Sequence, residues 1–206
     1  HDSIFVGEDG PTHQGVEHFA AIRCMPRVHL FRPCDGNETA YAWQHALARQ
    51  DGPTALALSR QKLPTLDRET YAPADGTLKG GYILFDEEEG PAEILLIASG
   101  SEVHLAIELS TMLREAGRTV RIVSMPSLDL FKEQSEGYRR RILPKRIKRR
   151  AVLEAGVVDG WEGVLGDNGV FVGMADFGAS GPYKDLAKKF GFTADAVLDK
   201  LAEADF

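Results

Sequence analysis

Residues 93–126 read EILLIASGSEVHLAIELSTMLREAGRTVRIVSMP, and this stretch decides the fold. Its two ends, EILLIASG and RTVRIVSMP, are short apolar runs rich in branched residues and bounded by Gly or Pro, so each reads as a buried strand. Between them SEVHLAIELSTMLREAG reads as a helix, with Ser101 as its N-cap and Gly117 just past its end. Strand, helix and strand at this spacing form a βαβ unit, which implies parallel strands and a right-handed crossover.

Further elements lie on either side. Upstream, GYILFD reads as a strand; downstream, RAVLEA and GVFVGM read as two more. The tail TADAVLDKLAEADF places Ala194, Val197, Leu198 and Leu201 on one helical face behind an N-cap at Thr193. Residues 80–206 thus predict a complete small α/β domain with a mostly parallel sheet, of a size that commonly folds alone. Residues 64–79 are polar, carry Pro64, Pro73 and Gly76, and show no sustained period, so they read as a linker.

Residues 1–63 form a separate unit. VEHFAAIRCM has helical spacing at Val16, Phe19, Ala20 and Ile22, and RVHLF follows as a short strand. DGNETAYAWQHALARQDG is a helix with Asp35 or Asn37 at its N-cap, and PTALALS is a strand that ends at Ser59-Arg60. Strands alternating with helices again imply a parallel sheet, but two or three strands cannot cover both faces and both edges. The fold class is therefore α/β: an incomplete parallel-sheet segment linked to a complete domain, with a further segment expected ahead of His1.

With 206 residues, 43% of them apolar, the chain can bury a core, and no run approaches the roughly 18 apolar residues of a membrane span. A cytoplasmic protein without membrane partners is expected. Cys24 and Cys34, ten residues apart, suit neither a disulfide framework nor a zinc knuckle and read as reduced, mostly structural thiols. The run RRRILPKRIKRR, Arg139 to Arg150, holds eight of the 24 Lys and Arg residues and no acid. The other 16 stand against 31 acids, a balance of −15. So acidic a remainder argues against a nucleic-acid partner, and the run reads as a solvated surface facing acidic neighbours.

Chemistry concentrates at the start. HDSIFVGEDGPTH packs His1, Asp2, Glu8, Asp9 and His13 around a Gly-Asp-Gly-Pro turn. A metal site is one reading, but His13 and His18 are five apart, off the i, i+4 face of a helical pair. A nucleophilic triad is another, but Ser3 has no Gly-x-Ser-x-Gly elbow. A third is a turn in which Asp9 and His13 only cap the next helix. Against these stands the combination of two imidazoles, a carboxylate and Arg60 at a strand end, where open α/β sheets bind ligands. Imidazole and carboxylate suit hydroxyls and guanidinium suits phosphate, so a polyhydroxylated anion fits all four groups.

HDSIFVGEDGPTHQGVEHFAAIR, RPCDGNETAYAW, DGPTALALSRQKLP, GGYIL, IASGSEV, VRIVSMPS, FGASGP and FGFT follow one another in an order that resembles the transketolase family. The resemblance implies the second half of the family's pyrimidine-binding domain (residues 1–63) followed by its C-terminal domain (80–206). It implies transfer of a two-carbon ketol unit from ketose to aldose phosphates in the pentose phosphate pathway, with thiamine diphosphate and a divalent metal (Mg or Ca) as cofactors. Their main ligands would lie outside this chain, and the active form would be a homodimer. In the family, the positions of His1 and Arg60 hold the sugar phosphate, that of Asp9 takes a hydroxyl, and that of His13, the catalytic residue among them, reaches the reacting end. Gly15 departs from the pattern, which usually has Pro there, and ASGSE reads as a plain helix start and not a phosphate cradle. The rival reading is a non-catalytic binding or assembly module.

Overall fold

The computed structural model describes residues 1–87 and 90–206. The chain opens with a 3-10 turn, Ile4–Asp9, then α1 (His18–Arg23), β1 (His29–Phe31), α2 (Gly36–Ala48) and β2 (Thr54–Leu56). A second 3-10 turn, Ala74–Lys79, leads into β3 (Tyr82–Phe85), β4 (Ile94–Ala98), α3 (Glu102–Glu115) and β5 (Val120–Ser124). There follow α4 (Leu128–Lys132), α5 (Glu136–Ile142), β6 (Arg149–Leu153), α6 (Glu162–Leu165), β7 (Val170–Val172), α7 (Tyr183–Lys189) and α8 (Ala194–Glu203).

The larger sheet runs β3-β5-β4-β6-β7, parallel throughout except for β3, which pairs antiparallel with β5. Every residue of β4 and β5 is buried, Arg121 and Ser124 of β5 included, as expected of strands covered on both faces. Side chains of successive strand residues point to opposite faces, so Ile94, Leu96 and Ala98 enter one core while Leu95 and Ile97 enter another. The first core is closed by Val103, Ala106, Leu109 and Leu113 of α3 and by Val197 and Leu201 of α8. The second is closed by Leu128 and Phe131 of α4, Ile142 of α5, and Trp161.

The smaller sheet has two parallel strands, β1 and β2, joined through α2. Asp35 is the N-cap of α2, its carboxylate accepting from Glu38 N at 2.8 Å. β2 is only half-buried, and Trp43 and Leu47, one turn apart on α2, are exposed. β1 faces the other way, into the molecule: Leu30 N donates to Asp129 and Arg32 N to Pro126 O. The two sheets share apolar packing, because Ile4, Val16 and Cys34 belong to the first core. Residues 64–79 are held at several points. Leu66 N and Arg68 both donate to the Asp35 carboxylate, at 3.1 and 2.6 Å, and Thr77 is fully buried.

Two details differ from expectation. Ser101 does not cap α3: it is already helical, and its hydroxyl donates instead to the Glu102 carboxylate at 2.6 Å. The basic run is partly engaged at home, since Arg150 donates to the carbonyls of Pro144, Ile147 and Val164 and Arg149 to that of Asp205. Cys34 is buried and Cys24 exposed, both free. Among the described residues no helix is long and apolar enough to cross a membrane.

Candidate functional site

Residues 1–15 form a loop pinned from two sides. Gly7 and Gly10 take φ of 85° and 79°, a left-handed region that side chains disfavour, and so allow the loop to double back. Gln14, almost fully buried, gathers it. Its amide donates to the carbonyls of Ile4 (3.2 Å), Gly7 (3.1 Å) and Ala179 (2.9 Å). The segment Phe177–Pro182 thus clamps the loop from the larger sheet's side, and the Ser180 hydroxyl adds a bond to Glu8 O at 2.6 Å. At Gly178 a Cβ would lie 1.7 Å from Gln14 Oε1, so a larger residue there would have to displace the Gln14 amide. Gly15 has no left-handed backbone, and α1 begins three residues after it.

The loop carries its polar groups to two places. His1 and His13 line a cavity of about 330 Å³ together with Gln14, His18, Phe19, Ile22 and Phe177. Thr12 and the His13 ring are hydrogen-bonded at 3.0 Å. Asp9 and Arg60 do not line that cavity but form a pair of their own: Arg60 Nη1 lies 3.3 Å from Asp9, 4.0 Å from Glu8, and donates to Val6 O at 2.5 Å. Arg60 follows β2 by four residues, so it projects from the C-terminal end of a parallel pair. Both members of the pair are nearly half exposed.

Behind the cavity lies a buried ion network that sequence reasoning missed. Arg32, fully buried, donates two bonds of 2.8 Å to the Asp2 carboxylate and others of 2.9 Å to Ser99 Oγ and Glu102. Glu154 lies 3.4 Å from Arg32 and takes a two-pronged pair from Arg23, at 2.6 and 2.7 Å. It also accepts from Ser99 Oγ and Trp161 Nε1. Burial would raise the Glu154 pKa, but Arg23 and Arg32 more than offset this and hold it down to about 2. For Glu102 burial prevails over Arg32, and its pKa is raised. Burial opposes the charge on Arg32 too, yet Asp2, Glu102 and Glu154 together raise its pKa further. No local pattern announces these pairs; the hint in the sequence is Glu154, a charge at the end of the apolar run in RAVLEA.

The cavity presents imidazoles, the Gln14 amide being spent on the loop's carbonyls, beside a guanidinium–carboxylate pair. Such a set binds hydroxyls and an anion. Among the described residues no group of three His, Cys, Asp or Glu side chains could hold a metal ion.

Comparison with known proteins identifies the family of the chain. The model of the transketolase pyrimidine-binding domain matches residues 1–65, and that of the transketolase-like C-terminal domain matches residues 80–193. Transketolase 2 of Aliivibrio fischeri is 48% identical over 203 residues, which is 98% of this chain and 30% of that protein. The Pichia stipitis transketolase solved in complex with sedoheptulose-7-phosphate superposes with a TM-score of 0.90 at 37% identity, over 99% of this chain and 29% of that one. A split-gene transketolase, solved as an inactive β4 tetramer, gives a TM-score of 0.69 at 25% identity, over 94% of this chain and 62% of that one. The chain thus spans about 30% of the length of the curated relatives it matches.

Proposed function

Because the chain belongs to the transketolase family, we propose that it supplies the sugar-phosphate wall of an active site completed by another segment or subunit. The reaction is transfer of a two-carbon ketol unit between ketose and aldose phosphates, as in the pentose phosphate pathway, in the cytoplasm. The observation that carries this reading is the placement of His1 and His13 in one cavity, with the Asp9–Arg60 pair at the adjoining strand end.

Each group has a task suited to its chemistry. Arg60, half exposed and held by a weak surface pair, exchanges Asp9 for the substrate's phosphate, which offers two oxygens to its fork. His1 takes a further phosphate oxygen. Asp9, released, accepts a hydrogen bond from the hydroxyl next to the carbonyl. His13, kept on the cavity wall, hands a proton to or from the reacting oxygen. Phe19, Ile22 and Phe177 give the cavity an apolar side that limits water.

Thiamine diphosphate, bound elsewhere in the complete enzyme, supplies the electron sink for the carbanion. It does not fit the residues present here: among the described residues no cluster of His, Cys, Asp or Glu suits the divalent metal it would need. No step is therefore assigned to it on this chain. We divide the chain into residues 1–63 of the pyrimidine-binding domain, a connection over 64–79 and the C-terminal domain over 80–206. The family's homodimer is the expected assembly.

Activity measurement on the pure chain, with and without the complementing N-terminal segment, tests the reading. With thiamine diphosphate and Mg²⁺ present, the mixture should turn over a ketose phosphate and the chain alone should not. No turnover by a stably formed mixture would favour a binding or assembly module.

A further inference from the structure

Arg32 touches neither the cavity nor the Asp9–Arg60 pair, yet it occupies the place in the larger sheet where ligands usually bind. The chain leaves β4 toward β5 on one side and passes from β6 to β7 on the other, so the β4–β6 border is the sheet's switch point. Crevices at such points, beyond the strands' C-terminal ends, are the ligand sites of open α/β sheets. Here the crevice is filled by a side chain. Ser99, just past β4, and Glu154, just past β6, both face the Arg32 guanidinium. Glu102, in the first turn of α3, meets it from the helix N-terminus, where an acid is favoured. Gly100 takes φ 58° and donates to Arg32 O at 2.9 Å, and a Cβ there would lie 2.9 Å from Arg32 Nη2.

The other arm of this socket leads to the cavity. Asp2, held by Nε and Nη2 of the guanidinium, is the neighbour of His1. The next residue, Ser3, is non-glycine at φ 51°, a conformation that persists only when its surroundings impose it. Asp2 on Arg32 holds one side of that strained residue, and Ile4 O on Gln14 holds the other. The opposite cavity wall is tied to the same socket. Phe19 lies 4.4 Å beneath the Arg32 guanidinium, and Arg23, the last residue of α1, is paired with Glu154.

We propose that Arg32 is a positioning residue for the sugar-phosphate site: seated in the switch-point crevice of the larger sheet, it fixes Asp2 and thereby His1. The C-terminal domain then has a role in substrate binding without touching substrate. This proposal rests on the functional reading above, and its test separates the two.

The variants are Asp2→Asn and Arg32→Lys in the complete assembly, compared on a ketose phosphate and on a plain donor such as hydroxypyruvate. Asp2→Asn keeps the shape and leaves Arg32 two carboxylates, so the fold should persist. It should raise KM for the ketose phosphate about tenfold, with kcat changed less than about twofold and the plain donor unaffected. Arg32→Lys, which cannot form the two-pronged pair, should do the same. In a His1→Ala background neither change should add anything, because both act through His1. Additive effects, equal losses on both donors, or failure of Asp2→Asn to assemble would overturn the proposal by making the network purely structural. If the unmodified assembly showed no preference for phosphorylated donors, the functional reading would fall, and this proposal with it.

Discussion

Removing Arg60 should cost little stability and much substrate affinity, and the structure gives the size of each effect. The Arg60–Asp9 pair is 3.3 Å long with both side chains nearly half exposed, and such surface pairs contribute about 0 to 1 kcal/mol. The substitution also removes the bond from Nη1 to Val6 O, but Gln14 and Ser180 hold the same loop independently. Arg60→Ala should therefore shift the melting temperature only slightly. A phosphate on the same guanidinium gains charge-assisted bonds worth roughly 1.5 to 3 kcal/mol, so kcat/KM for phosphorylated sugars should fall by about one to two powers of ten. The assay is steady-state kinetics of the complete assembly with matched phosphorylated and plain sugars. Equal impairment of both classes would refute the reasoning, since it would make Arg60 a structural residue.

The remaining predictions concern the neighbouring carboxylate, the buried network and the connecting segment. Asp9→Ala should weaken discrimination between acceptors that differ in the configuration of the hydroxyl beside the carbonyl, as measured by competing epimers. Glu154→Gln takes from Arg23 the carboxylate it pairs with in a buried site, while Arg32 keeps Asp2 and Glu102, and should cost about 3 to 5 kcal/mol in urea unfolding. The pH dependence of stability has a definite sign. Glu154 is depressed from about 4.5 to about 2 in the fold, so its stabilisation is full above pH 4.5 and is lost as pH falls toward 2. The loss is roughly 3 kcal/mol. Glu102, whose pKa is raised, acts in the opposite direction: its penalty is relieved as pH falls through its raised pKa. Acid titration of stability in Glu154→Gln should lack the first loss. Limited proteolysis should spare residues 64–79, which Asp35 grips through Leu66 and Arg68; early cuts there would mark a free linker.

The parallel sheet was legible because its strands are buried on both faces and so leave runs rich in branched apolar residues, unbroken in ILLIA of EILLIASG and interrupted only by Arg121 within VRIV of RTVRIVSMP. The helices were legible where capping is local: Asp35 and Thr193 each accept from the backbone three residues on. Ser101 was misread because Glu102, drawn inward by Arg32, recruits its hydroxyl, and Arg32 lies 70 residues before Glu102. The cavity shows the same limit. His1 and His13 stand out in one turn-rich cluster, but Phe177 reaches the cavity from the far end of the chain, and Gln14 does its clamping through Ala179. Pairs separated by 30 residues, such as Asp2 and Arg32, or by 131, such as Arg23 and Glu154, leave no periodic trace.

The most direct measurement is a crystal structure of the complete assembly with a ketose phosphate bound. The phosphate should be held by the guanidinium of Arg60 and the ring of His1, with Asp9 released to a sugar hydroxyl and His13 nearest the reacting carbon. A phosphate bound away from Arg60 and His1, with the Asp9–Arg60 pair still closed, would contradict the account.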